Sequence, residues 1–159
     1  MLNYGDALMR RRYAFSLFEL IVALSIVALM ATMAVPIYGN AMGRYHASAA
    51  AQRIASDLGA AQLNARALSS TQTVSFNPAA SSYLVTNLVS VDSGNGTYSV
   101  NLAAAPYQAK LVSASFGGSS QVTFDIYGTP SSGGTIVVSA GSAQKTVILD
   151  GTSGRATVQ

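Results

Sequence analysis

The order of patterns along these 159 residues predicts an α+β fold, one long N-terminal helix followed by a small antiparallel β-sheet domain. Three observations carry that expectation. No Asp, Glu, Lys or Arg stands between Glu19 and Arg44; apolar residues then recur at helical spacing as far as Leu68; and beyond Ser69-Ser70 short Thr-, Val-, Ile-, Tyr- and Phe-containing runs alternate with Gly, Ser and Pro clusters. Only 9% of the residues are charged, against about 25% in an ordinary soluble domain. The length suits one compact domain plus an extension.

Residues 1–14 form a short polar leader ending in Arg10-Arg11-Arg12 and Tyr13, opposed by Asp6 alone. This cluster accounts for most of the formal charge of +3, because the rest of the chain carries a single net positive charge. A basic balance so placed does not indicate nucleic-acid binding. Residues 15–38 follow, with the run Leu20-Ile21-Val22-Ala23-Leu24-Ser25-Ile26-Val27-Ala28-Leu29-Met30 at their centre. With its flanks this run reaches the roughly 20 mostly apolar residues that a bilayer crossing needs, and the arginines before it hold the leader in the cytoplasm.

Pro36, Gly39, Asn40 and Gly43 then crowd together. Proline lacks an amide donor and glycine loses much backbone entropy in a helix, so a kink or local unwinding is expected there. In residues 39–68 Ala47, Ala51, Ile54, Leu58, Ala61, Ala65 and Leu68 recur at alternating four- and three-residue steps, an apolar stripe that should rest on a partner surface. Arg53, Asp57, Gln62 and Arg66 lie off it and are expected to be wet. If the two halves stack, 15–68 makes a rod on the order of 80 Å.

Residues 69–159 read as the β-rich domain. Candidate strands are 71–76, 82–91, 97–102, 110–116, 121–127, 135–140, 144–149 and 155–158, with Val122, Phe124 and Ile126 on one buried face. Ala140-Gly141-Ser142 and Asp150-Gly151-Thr152-Ser153-Gly154 look like tight connections.

The segment Tyr13-Ala14-Phe15-Ser16-Leu17-Phe18-Glu19-Leu20 resembles the cleavage signal of type IV prepilins and type II secretion pseudopilins: a small residue, Phe, Thr or Ser, two apolar residues and a glutamate fifth from the cut. Ala14 stands where that family usually has glycine. The resemblance implies a pilin-like fold, cleavage by prepilin peptidase between Ala14 and Phe15, and N-methylation of Phe15. It also implies a role for Glu19 in filament assembly, opposite the N-terminal amine of a neighbouring subunit, and a helix kink at Pro36. An ionised carboxylate in an apolar span costs several kcal/mol without a partner, which is the physical reason Glu19 matters. The alternative for Glu19 is a carboxylate at a helix start, snorkelling to the headgroups and favoured by the helix dipole.

The tail narrows the resemblance. Val122-Thr123-Phe124-Asp125-Ile126-Tyr127-Gly128-Thr129-Pro130, a Gly-rich turn, Thr135-Ile136-Val137-Val138 and the terminal Gly154-Arg155 look like the minor pseudopilins of the GspH/FimT family. This implies a structural subunit of a type II secretion pseudopilus or a type IV pilus, anchored in the bacterial inner membrane with its β domain in the periplasm. Its implied partners are other pilin or pseudopilin subunits, prepilin peptidase and an inner-membrane assembly platform. Some FimT-like members bind DNA through a terminal Gly-Arg-x-Arg. Here Gly154-Arg155-Ala156-Thr157 keeps one arginine, leaving Arg155 as a weak DNA contact at most. A third reading, an exported β-rich adhesin with an ordinary signal peptide, requires a cut after Ala34, where Thr32-Met33-Ala34 fits poorly.

No catalytic or metal constellation emerges, and neither enzyme activity nor a cofactor is expected. Cysteine is absent. His46 has no carboxylate or nucleophile near it in sequence; Asp92-Ser93-Gly94-Asn95-Gly96 offers one carboxylate where a calcium loop needs several; nothing in the spacing of Asp125 and Asp150 fixes a shared site.

Overall fold

The computed structural model describes residues 16–86 and 98–159, without the side chains of residues 33–37. Helix α1 spans Leu17–Leu68, and the chain divides inside it, at Ile37/Tyr38, into two units. The leader, Ala14, Phe15 and the 92–96 turn lie outside the described residues.

In the first unit the apolar side chains of α1 are bare on every side: Leu17, Phe18, Leu20, Ile21, Val22, Leu24, Ile26, Val27, Leu29 and Met30 are all exposed. Ser25 and Thr32 turn their hydroxyls back to the carbonyls of Ile21 and Leu29, at 2.8 and 2.7 Å, as polar residues do where a helix offers them no other acceptor. Among the described residues no helix is long and apolar enough to cross a membrane; the described side chains of this run stop at Thr32. Residues 36–43 are helical throughout, so the expected unwinding does not occur; a side-chain account of Pro36 falls outside the described residues.

The second unit begins at Tyr38 and has its own core. Its strands are β1 (Gln72–Asn77), β2 (Ser82–Val85), β3 (Tyr98–Asn101), β4 (Lys110–Phe116), β5 (Gln121–Phe124), β6 (Gly134–Ala140), β7 (Ala143–Leu149) and β8 (Ala156–Val158). They form two antiparallel four-stranded sheets, ordered β3-β2-β1-β5 and β4-β6-β7-β8. Phe76 of the first sheet stacks on Phe116 of the second, centroids 5.5 Å apart, joining the sheets, and lies tilted against Tyr83 of its own sheet at 5.4 Å.

The α1 stripe meets the sheets with Ala47, Ala50, Ala51, Ile54, Leu58, Ala61 and Ala65 fully buried. Alanine on most of these positions brings the helix backbone close, and Ile54 and Leu58 fill the middle. Leu68 is the exception: it belongs to the stripe by period but is 61% exposed, because the helix ends there and turns out through Ser69, whose φ is +47°.

Two other expectations are corrected. Strand β5 stops at Phe124 rather than continuing to Tyr127, and Ile126 is exposed, because the Asp125 carboxylate accepts the amides of Tyr127 and Thr129 at 2.9 and 2.7 Å and turns the chain. Asp57, expected to be wet, is buried at 9% exposure. In β4 the pairing slips between Leu111 and Ser113, leaving Val112 as an exposed bulge. Gln72 points inward from β1, fully buried, with neither amide atom hydrogen-bonded among the described residues.

Candidate functional site

Three features of the described residues bear on function: how α1 starts, what holds its second half, and what surface it leaves. Ser16 starts the helix. Its hydroxyl accepts the amide of Glu19 at 3.2 Å, the N-cap bond that satisfies one of the donors a helix leaves open. Ser16-Leu17-Phe18-Glu19 is thus a Ser-x-x-Glu capping sequence, with Glu19 in the first turn where the helix dipole favours a negative charge. That signal was legible in the sequence and was absorbed into the cleavage motif. Glu19 is exposed and, among the described residues, forms no ion pair.

The seat of the second half is organised by a polar network that sequence reading missed. Asp57 Oδ2 accepts the hydroxyl of Tyr83 from β2 at 2.5 Å, the hydroxyl of Tyr98 from β3 at 2.8 Å and Nε of Arg53 at 3.1 Å. Arg53 also donates to the hydroxyls of Tyr98 and, at 3.3 Å, Tyr107, and its guanidinium lies 5.8 Å from the Tyr98 ring centroid. The Asp57 carboxylate therefore ties α1 to two strands, and Arg53 ties it to the loop after β3. Burial, reinforced by the Asp57 charge, pushes the Tyr83 hydroxyl well above its ordinary value near 10; burial and the Asp57 hydrogen bond raise Tyr98 also. Both rings stay protonated as donors. The available signal was the Arg53/Asp57 spacing of four on a helix, usually a solvated pair.

Each end of the seat is fixed by backbone contact. At Gly43 a Cβ would lie 2.7 Å from the carbonyl oxygen of Ala140, so only glycine lets α1 approach the β6–β7 turn this closely. Gly43 thus serves as a contact, whereas the sequence reading cast it as a helix breaker. Beside it Asn40 Oδ1 accepts the Ser142 hydroxyl at 3.0 Å, and His46 donates from Nδ1 to the carbonyl of Pro106 at 3.0 Å. Gly39 meets no neighbour within 4 Å.

At the other end Gln62 donates 2.8 Å bonds to the carbonyls of Gly128 and Ser153, and Arg66 donates from Nε to the carbonyl of Tyr127 at 2.7 Å. The 150–154 turn is shaped by Asp150, whose Oδ1 accepts the Ser153 amide and hydroxyl at 2.6 and 2.7 Å and the Thr152 amide at 3.1 Å, bonds that lower its pKa. Gly154 closes the turn at φ +70° against Gln62, a place for no other residue. Asp125 and Asp150 each serve their own turn. Arg155 is exposed just beyond.

The structure thus places Gly43 and Arg155 at opposite ends of the second unit, puts Glu19 in the first unit, and leaves Ala14 and Phe15 outside the described residues.

Two family models match the chain. The prokaryotic N-terminal methylation motif covers residues 9–35, and the model of the type II transport protein GspH covers residues 50–153. No curated protein matches. Among solved structures, the type IV minor pilin FimU of Pseudomonas aeruginosa (strain PAO1), in its P21 crystal form, superposes with a TM-score of 0.54 at 14% identity, over 73% of this chain and 90% of that one. Its P65 form gives 0.51 at 12% identity, over 70% and 91%. At these identities the likeness speaks for the fold, which is that of a pilin. With the GspH model spanning well over half its length, the chain belongs to the GspH family of type II transport proteins.

Proposed function

We propose that the chain is a minor pseudopilin or pilin subunit. Prepilin peptidase cuts it between Ala14 and Phe15, Phe15 is N-methylated, and residues 15–38 hold it in the inner membrane before it joins a filament. The observation that carries the reading is one helix with two surfaces: apolar and exposed on every side through Met30, then buried along a single stripe from Ala47 to Ala65. Exposed apolar area of this extent marks a membrane or protein contact. Filament contacts through the first half leave the second unit folded and unchanged.

In this reading Glu19 stays charged by pairing with the Phe15 amine of a neighbouring subunit, and Pro36 with Gly39 lets the first half bend on assembly. The assembly platform and the other subunits are the partners, and support of protein secretion is the output. Mass spectrometry of the mature chain tests the proposal. An N-methylated chain beginning at Phe15 is the expected product; a mature chain beginning at Val35, or one that keeps Met1, refutes it.

A further inference from the structure

The charges of the second unit are sorted along α1. Among its described residues, Asp125 and Asp150 stand on the turns clasped by Gln62 and Arg66, with Arg155 beside them. Asp57 is buried against Arg53. The remaining cations, Arg44, Lys110 and Lys145, all gather at the opposite end, about 28 Å down the helix from Gln62 by the 1.5 Å rise between residues 43 and 62. Arg44 follows Gly43 at the contact with Ala140; Lys110 pairs across the ladder with Ser139; Lys145 pairs with Val138, two residues before the same turn. No described carboxylate accompanies them. Lys145 and Arg155 are separated by five residues of β7, about 17 Å, so Arg155 does not join this group.

The same end carries a groove of about 460 Å³, lined by Ser81, Gln108, Lys110, Ser139 and Gly141 among others; of the three cations only Lys110 lines it, and Lys145 stands on the other face of the sheet at the same end. Its floor includes Ala140, whose carbonyl touches α1 at Gly43. Arg44 and Lys110 are exposed and Lys145 half-buried. Arg44 lies only seven positions beyond Ile37, the last residue of the first unit.

We infer that this end of the unit is a headgroup-binding face, with the groove receiving the phosphate-bearing headgroup of an anionic phospholipid beside Lys110, and Arg44 and Lys145, outside the groove, adding positive charge to the same end of the unit. The inference rests on the reading that residues 15–38 sit in the membrane. Hydroxyl and amide groups from Ser81, Ser139 and Gln108 provide hydrogen-bonding partners for phosphate oxygens, and basic residues next to an apolar span are drawn to anionic leaflets, about fivefold in association for each cation. Docking this face on the headgroups would hold the subunit against the bilayer until it is drawn into a filament.

The chain contains no cysteine, so a single dye can be placed on the full-length protein at Ser142→Cys, with Thr152→Cys as the far-end control. The protein is reconstituted into vesicles carrying an acceptor dye on their headgroups, either of phosphatidylcholine alone or with one-third phosphatidylglycerol. Energy transfer from position 142 should rise in the anionic vesicles, fall with added salt, and drop to the neutral-vesicle level in R44Q/K110Q/K145Q, whose melting should match the parent; transfer from position 152 should not respond. Equal transfer from position 142 in both vesicle types overturns the inference. So does loss of transfer on adding glycerol phosphate at constant ionic strength, which would assign the groove to a soluble phosphate. Failure of the parent to float with either vesicle would instead overturn the membrane reading itself.

Discussion

Both stretches of α1 draw most of their residues from Ala, Leu, Ile and Val, yet they meet opposite fates. From Leu17 to Met30 large side chains point in every direction and nothing in the described chain covers them; from Ala47 to Ala65 the buried positions are mostly alanine, on one side, and the sheets cover them. An apolar count alone therefore does not say where a helix will be satisfied. A stripe of small residues specifies a close partner within the same domain, while bulk on all sides specifies an environment outside it.

Substitutions should divide along the same line. The largest effect is expected in the buried network: Asp57→Ala leaves the buried Tyr83 hydroxyl without its acceptor and Arg53 without its charge partner, and should lower unfolding free energy by about 3–5 kcal/mol in denaturant titration. Leu58→Ala, in the middle of the stripe, should cost about 2–5 kcal/mol by the same measurement. Leu24→Ala removes the same atoms from the exposed stretch and should leave the melting of the second unit unchanged; a loss equal to that of Leu58→Ala would erase the distinction. The pH dependence has a definite sign. Because Tyr83 is raised above its ordinary value near 10, the stability it contributes is complete below about pH 10 and is lost as pH climbs beyond it. The parent should therefore lose melting temperature in that range faster than Tyr83→Phe. The smallest effect has the opposite direction: Gln72→Leu removes two buried amide atoms that have no hydrogen-bond partner among the described residues, and should stabilise the second unit by about 1 kcal/mol.

Much of the fold was legible because period and punctuation agree. Strand β4 falls on residues 110–116 as expected, and most other strands fall within a residue or two of their predicted bounds. The misses have local causes. Asp125 turns the chain before Ile126 can join the core, and Leu68 has the right spacing but no sheet left to face. The seat of α1 is less legible: no spacing within the helix reveals that Tyr83 and Tyr98 approach Asp57 from two strands, while the expectations for Ala14, Phe15, Glu19 and Pro36 rest on the motif and not on the fold. Gly43 was recognised as special for its weakness in a helix; its contact with Ala140 depends on a turn nearly a hundred residues later.

In the cell, α1 should present two kinds of surface. Single cysteines placed one at a time along α1 of the full-length chain, and probed in intact cells with a water-soluble maleimide that crosses only the outer membrane, test it most directly. The expected result is uniform protection through positions 18–30, followed by a helical period beyond residue 46 in which Gln52 and Ser56 positions react and Ile54 and Leu58 positions do not. Reactivity with a helical period through positions 18–30 as well would contradict it, because a protected stripe there would mean that the first half also rests on a single protein face.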